Sequence, residues 1–302
     1  AILLGDGVLA PLGLPVKLLS RHTKVFSVVH GLDITFIYKT SLLARVYKCI
    51  NIPSLKALNK LIMVGNHTIE EAVRIGISRE KCVFIPNGVF ADELFESHTQ
   101  KELSDVVGQN LDGKQVILRI GRYVKHKGVE WFIRNVVPRL PEHVVFVAAG
   151  GVVKSKTAGD SDYFPACERA VRELGLESRV KLLTNLPWKN MKVLLNTADL
   201  VVSPNIPVPG SMEGFGINII EAAACERVVV ASNFEGLKDA VADGKNGFLV
   251  EPEDADAYVQ KIIDLLTQDE HRQSFGQQAR QYVIENFSWD KIAQKYLDII
   301  KN

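Results

Sequence analysis

From residue 116 onward the chain repeats one pattern: a short apolar, β-branched run followed by a stretch with helical periodicity. The strand-like runs are 116–120, 144–149, 180–183, 200–203, 228–231 and 248–250. Between them lie helix-like segments at 128–137, 164–174, 188–196, 217–225 and 237–242. Strict β/α alternation with continuous apolar strands predicts a parallel sheet covered on both faces by helices. Such a sheet binds ligands beyond the carboxyl ends of its strands. The first hundred residues follow the same grammar less fully. Strand-like runs stand at 25–29, 61–64 and 83–85, and helix-like ones at 9–19, 41–50, 54–59 and 68–75. Three strands are few for a layer closed on both faces, so this half reads as an incomplete domain. The polar stretch 90–110 is the linker expected between the two.

Composition excludes several classes. At 302 residues the chain is long enough for two domains, and 47% hydrophobic with 24% charged content is ordinary for a globular protein. Lys+Arg at 36 against Asp+Glu at 35 leaves a net charge of +1, which argues against nucleic acid as a partner. Cys49, Cys82, Cys167 and Cys225 are scattered without metal-ligand spacing, which fits a reduced, cytoplasmic protein. No apolar run reaches the roughly 18 residues of a spanning helix, and the start carries no basic n-region of a signal peptide. No Gly-x-Gly-x-x-Gly opens a helix with an acid some 20 residues on, so a nicotinamide cofactor is not expected.

The chemistry concentrates in 211–225. Glu213 and Glu221 stand eight apart, separated by Gly214-Phe215-Gly216 and an apolar helical run. Glycines at a helix start let backbone N–H groups approach an anion, and the helix N-terminus favours negative charge. Carboxylates beside such a site do not bind the phosphate; they suit hydroxyl donors of a sugar or ribose. Phosphate plus polyol points to a nucleotide-sugar. This turn follows the strand at 200–203. A second glycine-flanked segment, Gly121-Arg122-Tyr123-Val124-Lys125-His126-Lys127-Gly128, follows the strand at 116–120. Both motifs therefore fall at the ligand edge of the sheet. Arg122 and Lys127 there would pair with a diphosphate and oppose its growing negative charge; the rival reading is a solvated basic loop. For Glu221 the rival is an ordinary ion pair with Arg227 or Lys238.

Four motifs in order are similar to those of the retaining family 4 glycosyltransferases, also called glycosyl transferases group 1. They are Val29-His30-Gly31-Leu32-Asp33, Ile85-Pro86-Asn87-Gly88-Val89, the 121–128 segment, and Glu213-Gly214-Phe215-Gly216 with Glu221. The resemblance runs from about Gly5 to the last helix. It implies the α/β GT-B fold: two Rossmann-like domains with parallel sheets facing across a cleft. Residues 1–108 would form the acceptor-side domain, 109–280 the donor-binding domain, and 281–302 a helix returning to the first. The amphipathic tail, with Ile292, Tyr296, Leu297, Ile299 and Ile300, fits that return. In the family the His-Gly segment comes after further β/α units, so roughly 70 residues would be missing at ~30 per unit.

The resemblance also implies roles. His30 would sit across the cleft near the donor sugar, with Asp33 either beside it or capping a turn. Arg122 and Lys127 would serve the diphosphate, and the backbone of Phe215, Gly216 and Ile217 would hold phosphate. Glu213 would contact the sugar hydroxyls and Glu221 the ribose. Thr184, Asn185 and Leu186 would lie near the base. The implied activity is metal-independent transfer of a sugar, with retention, from a UDP-sugar or next a GDP-sugar to a hydroxyl of a glycan or lipid-linked glycan. No resident cofactor or metal is expected. The alternatives are an inactive donor-binding protein and a nucleotide-sugar epimerase of the same architecture. The chain departs from the family at Phe90, where Asp is usual, at Ala148-Ala149-Gly150-Gly151, at a polar insertion over 154–162, and in the proline-rich approach 204–209. Asn87-Gly88 reads as a turn.

One charge pattern stands apart. From Ile34 to Ile69 there are Lys39, Arg45, Lys48, Lys56 and Lys60 and no acid, interleaved with Phe36, Ile37, Tyr38, Leu42 and Leu43. This suits docking on an anionic membrane surface, at the inner face if the protein is cytoplasmic; a solvated basic face is the alternative.

Overall fold

The computed structural model describes residues 1–20, 22–153 and 162–301. It contains two parallel sheets. The first holds β1 (Ile2–Leu4), β2 (Val25–Val29), β3 (Lys60–Met63) and β4 (Cys82–Phe84), in the order β1-β2-β3-β4. The second holds β5 (Gln115–Ile120), β6 (Val144–Gly150), β7 (Val180–Thr184), β8 (Leu200–Ser203), β9 (Val228–Ser232) and β10 (Phe248–Val250), in the order β10-β9-β8-β5-β6-β7. This is the α/β, two-sheet architecture expected from the alternation.

The strand order positions the site. β5 pairs with β6 on one side (Ile117 opposite Phe146) and with β8 on the other (Ile117 opposite Leu200). Chain order reverses between β5 and β8, and a crevice opens at such a reversal because successive crossovers lie on opposite faces. The loops after β5 and β8 carry the two glycine-rich motifs. β8 and β9 are buried along their whole length, which explains their unbroken apolar sequence.

Four elements differ from the sequence expectation. The first sheet has four strands, because Ile2–Leu4 joins at an edge; Ile2 and Leu3 are 37% and 40% exposed, so no burial pattern marks them. Residues 41–50 and 54–59 form one helix, Leu42–Ala57, despite Pro53. Proline removes one helical N–H there, and the Ser54 hydroxyl donates to the Ile50 carbonyl at 2.7 Å in the same turn. The stretch 90–110 is not a simple polar linker. It contains helices Ala91–Leu94 and Gln100–Val107, the second opened by a Thr99–Glu102 capping box and burying Leu103 and Val107. Asn87-Gly88 is not in a turn: a Cβ on Gly88 would lie 2.7 Å from the Trp289 ring, so glycine is required there for packing. Two further helices, Ala255–Leu266 and Asp269–Phe287, complete the second half. The insertion expected over 154–162 lies, up to 161, outside the described residues.

The last helix, Trp289–Lys301, leaves the second half at a bridge between Val89 and Ser288. It buries Ile292 completely against Ile62 of β3 and Ile85 just after β4. Deleting a fully buried Ile to Ala costs about 2–5 kcal/mol. Ile292→Ala should therefore lower the unfolding free energy in urea by that amount. A loss below about 1 kcal/mol would contradict this packing.

Candidate active site

The loop after β5 is shaped from beneath by Arg119. This side chain is fully buried, and its guanidinium donates to the carbonyls of Gly121 and Arg122, the latter at 3.2 Å. The loop then tightens through the turn Lys125–Lys127 and delivers Lys127 to the loop after β8. There the Lys127 ammonium forms an ion pair with the Glu213 carboxylate. The Asn205 amide donates to the same oxygen at 2.8 Å. Burial opposes charge on Glu213, but Lys127 and Asn205 prevail and hold its carboxyl below the usual range. Removing either partner of such a buried pair leaves an uncompensated charge.

The Glu213 backbone is clasped as well. Its N–H donates to Glu235 Oε2 at 2.6 Å, and its carbonyl accepts from the Gly236 N–H at 3.0 Å. The next residue meets the first sheet directly. A Cβ on Gly214 would fall 2.0 Å from the His30 carbonyl oxygen, so only glycine permits this approach. Thus the His30-Gly31 segment and the Glu213-Gly214 turn touch through backbone.

The helix Ile217–Ala224 starts at Gly216. The Phe215 side chain is buried with its ring 5.9 Å from Phe287, so only its backbone could serve a ligand. Ile217 is 43% exposed, and its N–H donates to the Phe215 carbonyl at 3.0 Å; that amide would have to exchange partners to bind an anion. One turn further on, Glu221 lines a cavity of ≈ 390 Å³ with Phe90, Trp188, Lys192 and Trp289. Its carboxylate makes no hydrogen bond or ion pair with the described residues, and burial raises its pKa. The ordinary pairing with Arg227 does not form: Arg227 donates instead to the Cys225 and Ala198 carbonyls, both at 2.9 Å.

The remaining expected residues are more peripheral. Arg122 is exposed at the mouth of the β5 loop. His30 is exposed at the end of β2, its Nε2 3.1 Å from the Gly5 carbonyl oxygen. Asp33 is a structural cap: its carboxylate accepts from the N–H groups of Gly7, His30 and Gly31 at 3.2, 3.0 and 2.7 Å. Asn185, exposed with φ 55°, and the half-buried Leu186 follow β7.

Sequence reasoning missed Arg119, Asn205 and Glu235. Asn205 stands in the proline-rich approach, where polar residues carry no distinguishing pattern. Glu235 borders a second cavity, of ≈ 470 Å³, walled by Tyr38, His67, Glu71 and Arg74 from the first half and by Met212 and Phe234 from the second. Its Oε1 lies 3.8 Å from His67 Nε2. Burial, together with the charges of Glu213 and Glu71, pushes the Glu235 carboxyl up to about 7, against the pull of the Glu213 N–H and Lys127.

Comparison with known proteins places this geometry in a class. The family profile of glycosyl transferases group 1 matches residues 100–301, and the chain belongs to that family of glycosyltransferases. It is 26% identical, over 92% of its length, to the N,N'-diacetylbacillosaminyl-diphospho-undecaprenol alpha-1,3-N-acetylgalactosaminyltransferase of Campylobacter jejuni, and spans 71% of that enzyme. It is 28% identical to the trehalose synthase of Thermococcus litoralis over 78% of its length, spanning 56% of that enzyme. Among solved structures, Anabaena HepE in complex with UDP-glucose matches the fold with a TM-score of 0.81 at 20% identity, over 98% of this chain and 76% of that one. The fold is therefore GT-B.

The raised Glu235 pKa has a measurable sign. Between the ordinary carboxylate value of 4.5 and about 7 the unfolded chain ionises while the folded chain resists. Stability from this group is therefore full below about 4.5 and is lost as pH rises through about 7. Relative to Glu235→Gln, the native protein should lose unfolding free energy between pH 4.5 and 7 and none above. Parallel stability-versus-pH curves for the two proteins would show that Glu235 titrates normally.

Proposed function

We propose that the protein transfers a sugar, with retention of anomeric configuration, from a nucleoside-diphospho-sugar to a hydroxyl of a glycan or lipid-linked glycan. A UDP-sugar is the favoured donor and GDP-mannose the next. The observation that carries this reading is the meeting of Lys127 and Glu213 at the carboxyl edge of two adjacent strands, beside a glycine-opened helix and an unpartnered Glu221. Support also comes from HepE, solved with UDP-glucose, and from the Campylobacter relative, whose name specifies a diphospho-undecaprenol-linked sugar.

In this reading the donor diphosphate draws Lys127 away from Glu213, and Arg122 joins from the loop mouth. As the glycosidic bond breaks, charge grows on the leaving phosphate, and these cations oppose it. Glu213, released from Lys127, accepts hydrogen bonds from the sugar hydroxyls. The leaving phosphate helps take the acceptor proton on the same face, so Glu213 is not a nucleophile. His30 borders the cleft from the other sheet. Glu221 accepts from the ribose hydroxyls, and the base lies toward Asn185 and Leu186. Because the Glu221 carboxylate has no hydrogen-bond or ion-pair partner among the described residues, Glu221→Ala should leave stability intact while weakening nucleoside-diphosphate binding at least tenfold. Lys127→Ala should weaken the same binding. Unchanged affinity for UDP and GDP in both variants would sink the site assignment.

The basic stretch of the first half supports a membrane surface as partner. On the helix Leu42–Ala57, Leu42, Leu43, Val46 and Ile50 are exposed beside the exposed Arg45 and Lys48. Among the described residues no helix is long and apolar enough to cross a bilayer. Surface docking would join apolar insertion to attraction by anionic lipid, worth about 1 kcal/mol per basic residue. Phosphatidylcholine vesicles carrying phosphatidylglycerol should co-sediment the protein, and pure phosphatidylcholine vesicles should not. Arg45→Ala combined with Lys48→Ala should weaken the binding about thirtyfold, at ~1 kcal/mol per charge. Equal sedimentation with both vesicle types would refute the docking.

A further inference from the structure

Glu235 carries two features that a glutamate does not ordinarily tolerate. Its φ is 43°, in the left-handed region that favours glycine. Its carboxylate is also largely buried, near the carboxylates of Glu213 and Glu71. Glu226 and Glu253 share the positive φ, Glu226 half-buried and Glu253 exposed, but among the described residues neither carboxylate holds a backbone N–H of the site. Glycine at this position would relieve both burdens. What glutamate adds is an oxygen 2.6 Å from the Glu213 N–H. Strained residues persist where the surroundings over-determine them, and they cluster at functional sites.

The surroundings here do so. Gly236 takes the Glu213 carbonyl while Glu235 takes its N–H, so two consecutive residues grip both polar groups of one backbone unit. Gly236 also packs against the Gly214 carbonyl oxygen, with only 2.3 Å left for a Cβ. The other Glu235 oxygen faces His67 across the interdomain cavity. We propose that Glu235 is a positioning residue for Glu213, holding its backbone so that its carboxylate stays aimed at Lys127 and Asn205 and, after donor entry, at the donor sugar. This rests on the donor-site reading of Glu213.

The test compares Glu235→Gly and Glu235→Gln with the native protein. Affinities for UDP and UDP-glucose are measured, with GDP and GDP-mannose as the second pair, alongside the urea midpoint. The Glu235→Gly variant is relieved of strain but has no oxygen at the Glu213 N–H; the Glu235→Gln variant keeps an acceptor oxygen. Expected for Glu235→Gly is a midpoint at or above the native one, native affinity for the nucleoside diphosphate, and at least a fivefold shift in the ratio of sugar-nucleotide to nucleotide affinity. Glu235→Gln should keep the native ratio within about twofold. An unchanged ratio in Glu235→Gly overturns the positioning role while leaving the donor site standing. Equal loss of both affinities, or a lowered midpoint, also overturns it and marks Glu235 as merely structural. A native protein that binds neither UDP nor GDP overturns the donor-site reading and this inference together.

Discussion

The buried ion pair between Lys127 and Glu213 is the contact on which the site depends. Its members come from loops after β5 and β8, 86 residues apart in sequence. Taking both charges out of water is costly, and their attraction offsets this only where further hydrogen bonds complete the geometry. Asn205 and the backbone clasp from Glu235 and Gly236 supply that completion. Burial lowers the Lys127 pKa, and the neighbouring Glu213 charge opposes that lowering. In the proposed reading, a diphosphate would take Lys127 from Glu213 in a single exchange of partners.

The second constraint is a contact made almost without side chains. The Gly214 turn lies against the His30 carbonyl and beside Gly65, so the two sheets meet backbone to backbone. Asp239 strengthens the meeting: its carboxylate accepts from the Asn66 N–H at 2.7 Å and from the Asn66 amide at 2.6 Å. That places a negative charge at the start of the helix Asn66–Arg74, where the helix dipole welcomes it. The cavity walled by Glu235, His67 and Glu71 exists because these two halves are held at this separation.

Two carboxylates of one motif thus have opposite environments. Glu213 is paired, clasped and held ionised; Glu221 has no partner among the described residues and lines a cavity with aromatic rings, its pKa raised by burial. In the proposed reading this division leaves one acid engaged until substrate arrives and the other open for it.

Much of this was legible in the chain itself. The second sheet was readable because its strands are buried on both faces, so their residues form unbroken apolar runs bounded by glycine and helix. The placement of Arg122, Lys127, Glu213 and Glu221 in the segments that follow β5 and β8 was readable because helix starts and glycine-flanked loops impose local spacing. What resisted reading lacked local pattern. β1 is short and exposed, the helix at Gln100–Val107 announces itself only by Thr99 and Glu102, and Gly88 serves a tryptophan some 200 residues away. Asp33, two residues after Gly31, accepts from three N–H groups, the capping alternative of the sequence reading. The sequence by itself determined periodicity, and hence the elements and the sheet edge at which the glycine-rich segments lie, because both follow from near neighbours. Only the tertiary structure decided that β5 lies beside β8, that Lys127 meets Glu213, and that Glu235 grips Glu213 at a strained φ, because each joins residues whose proximity depends on how the whole sheet is ordered.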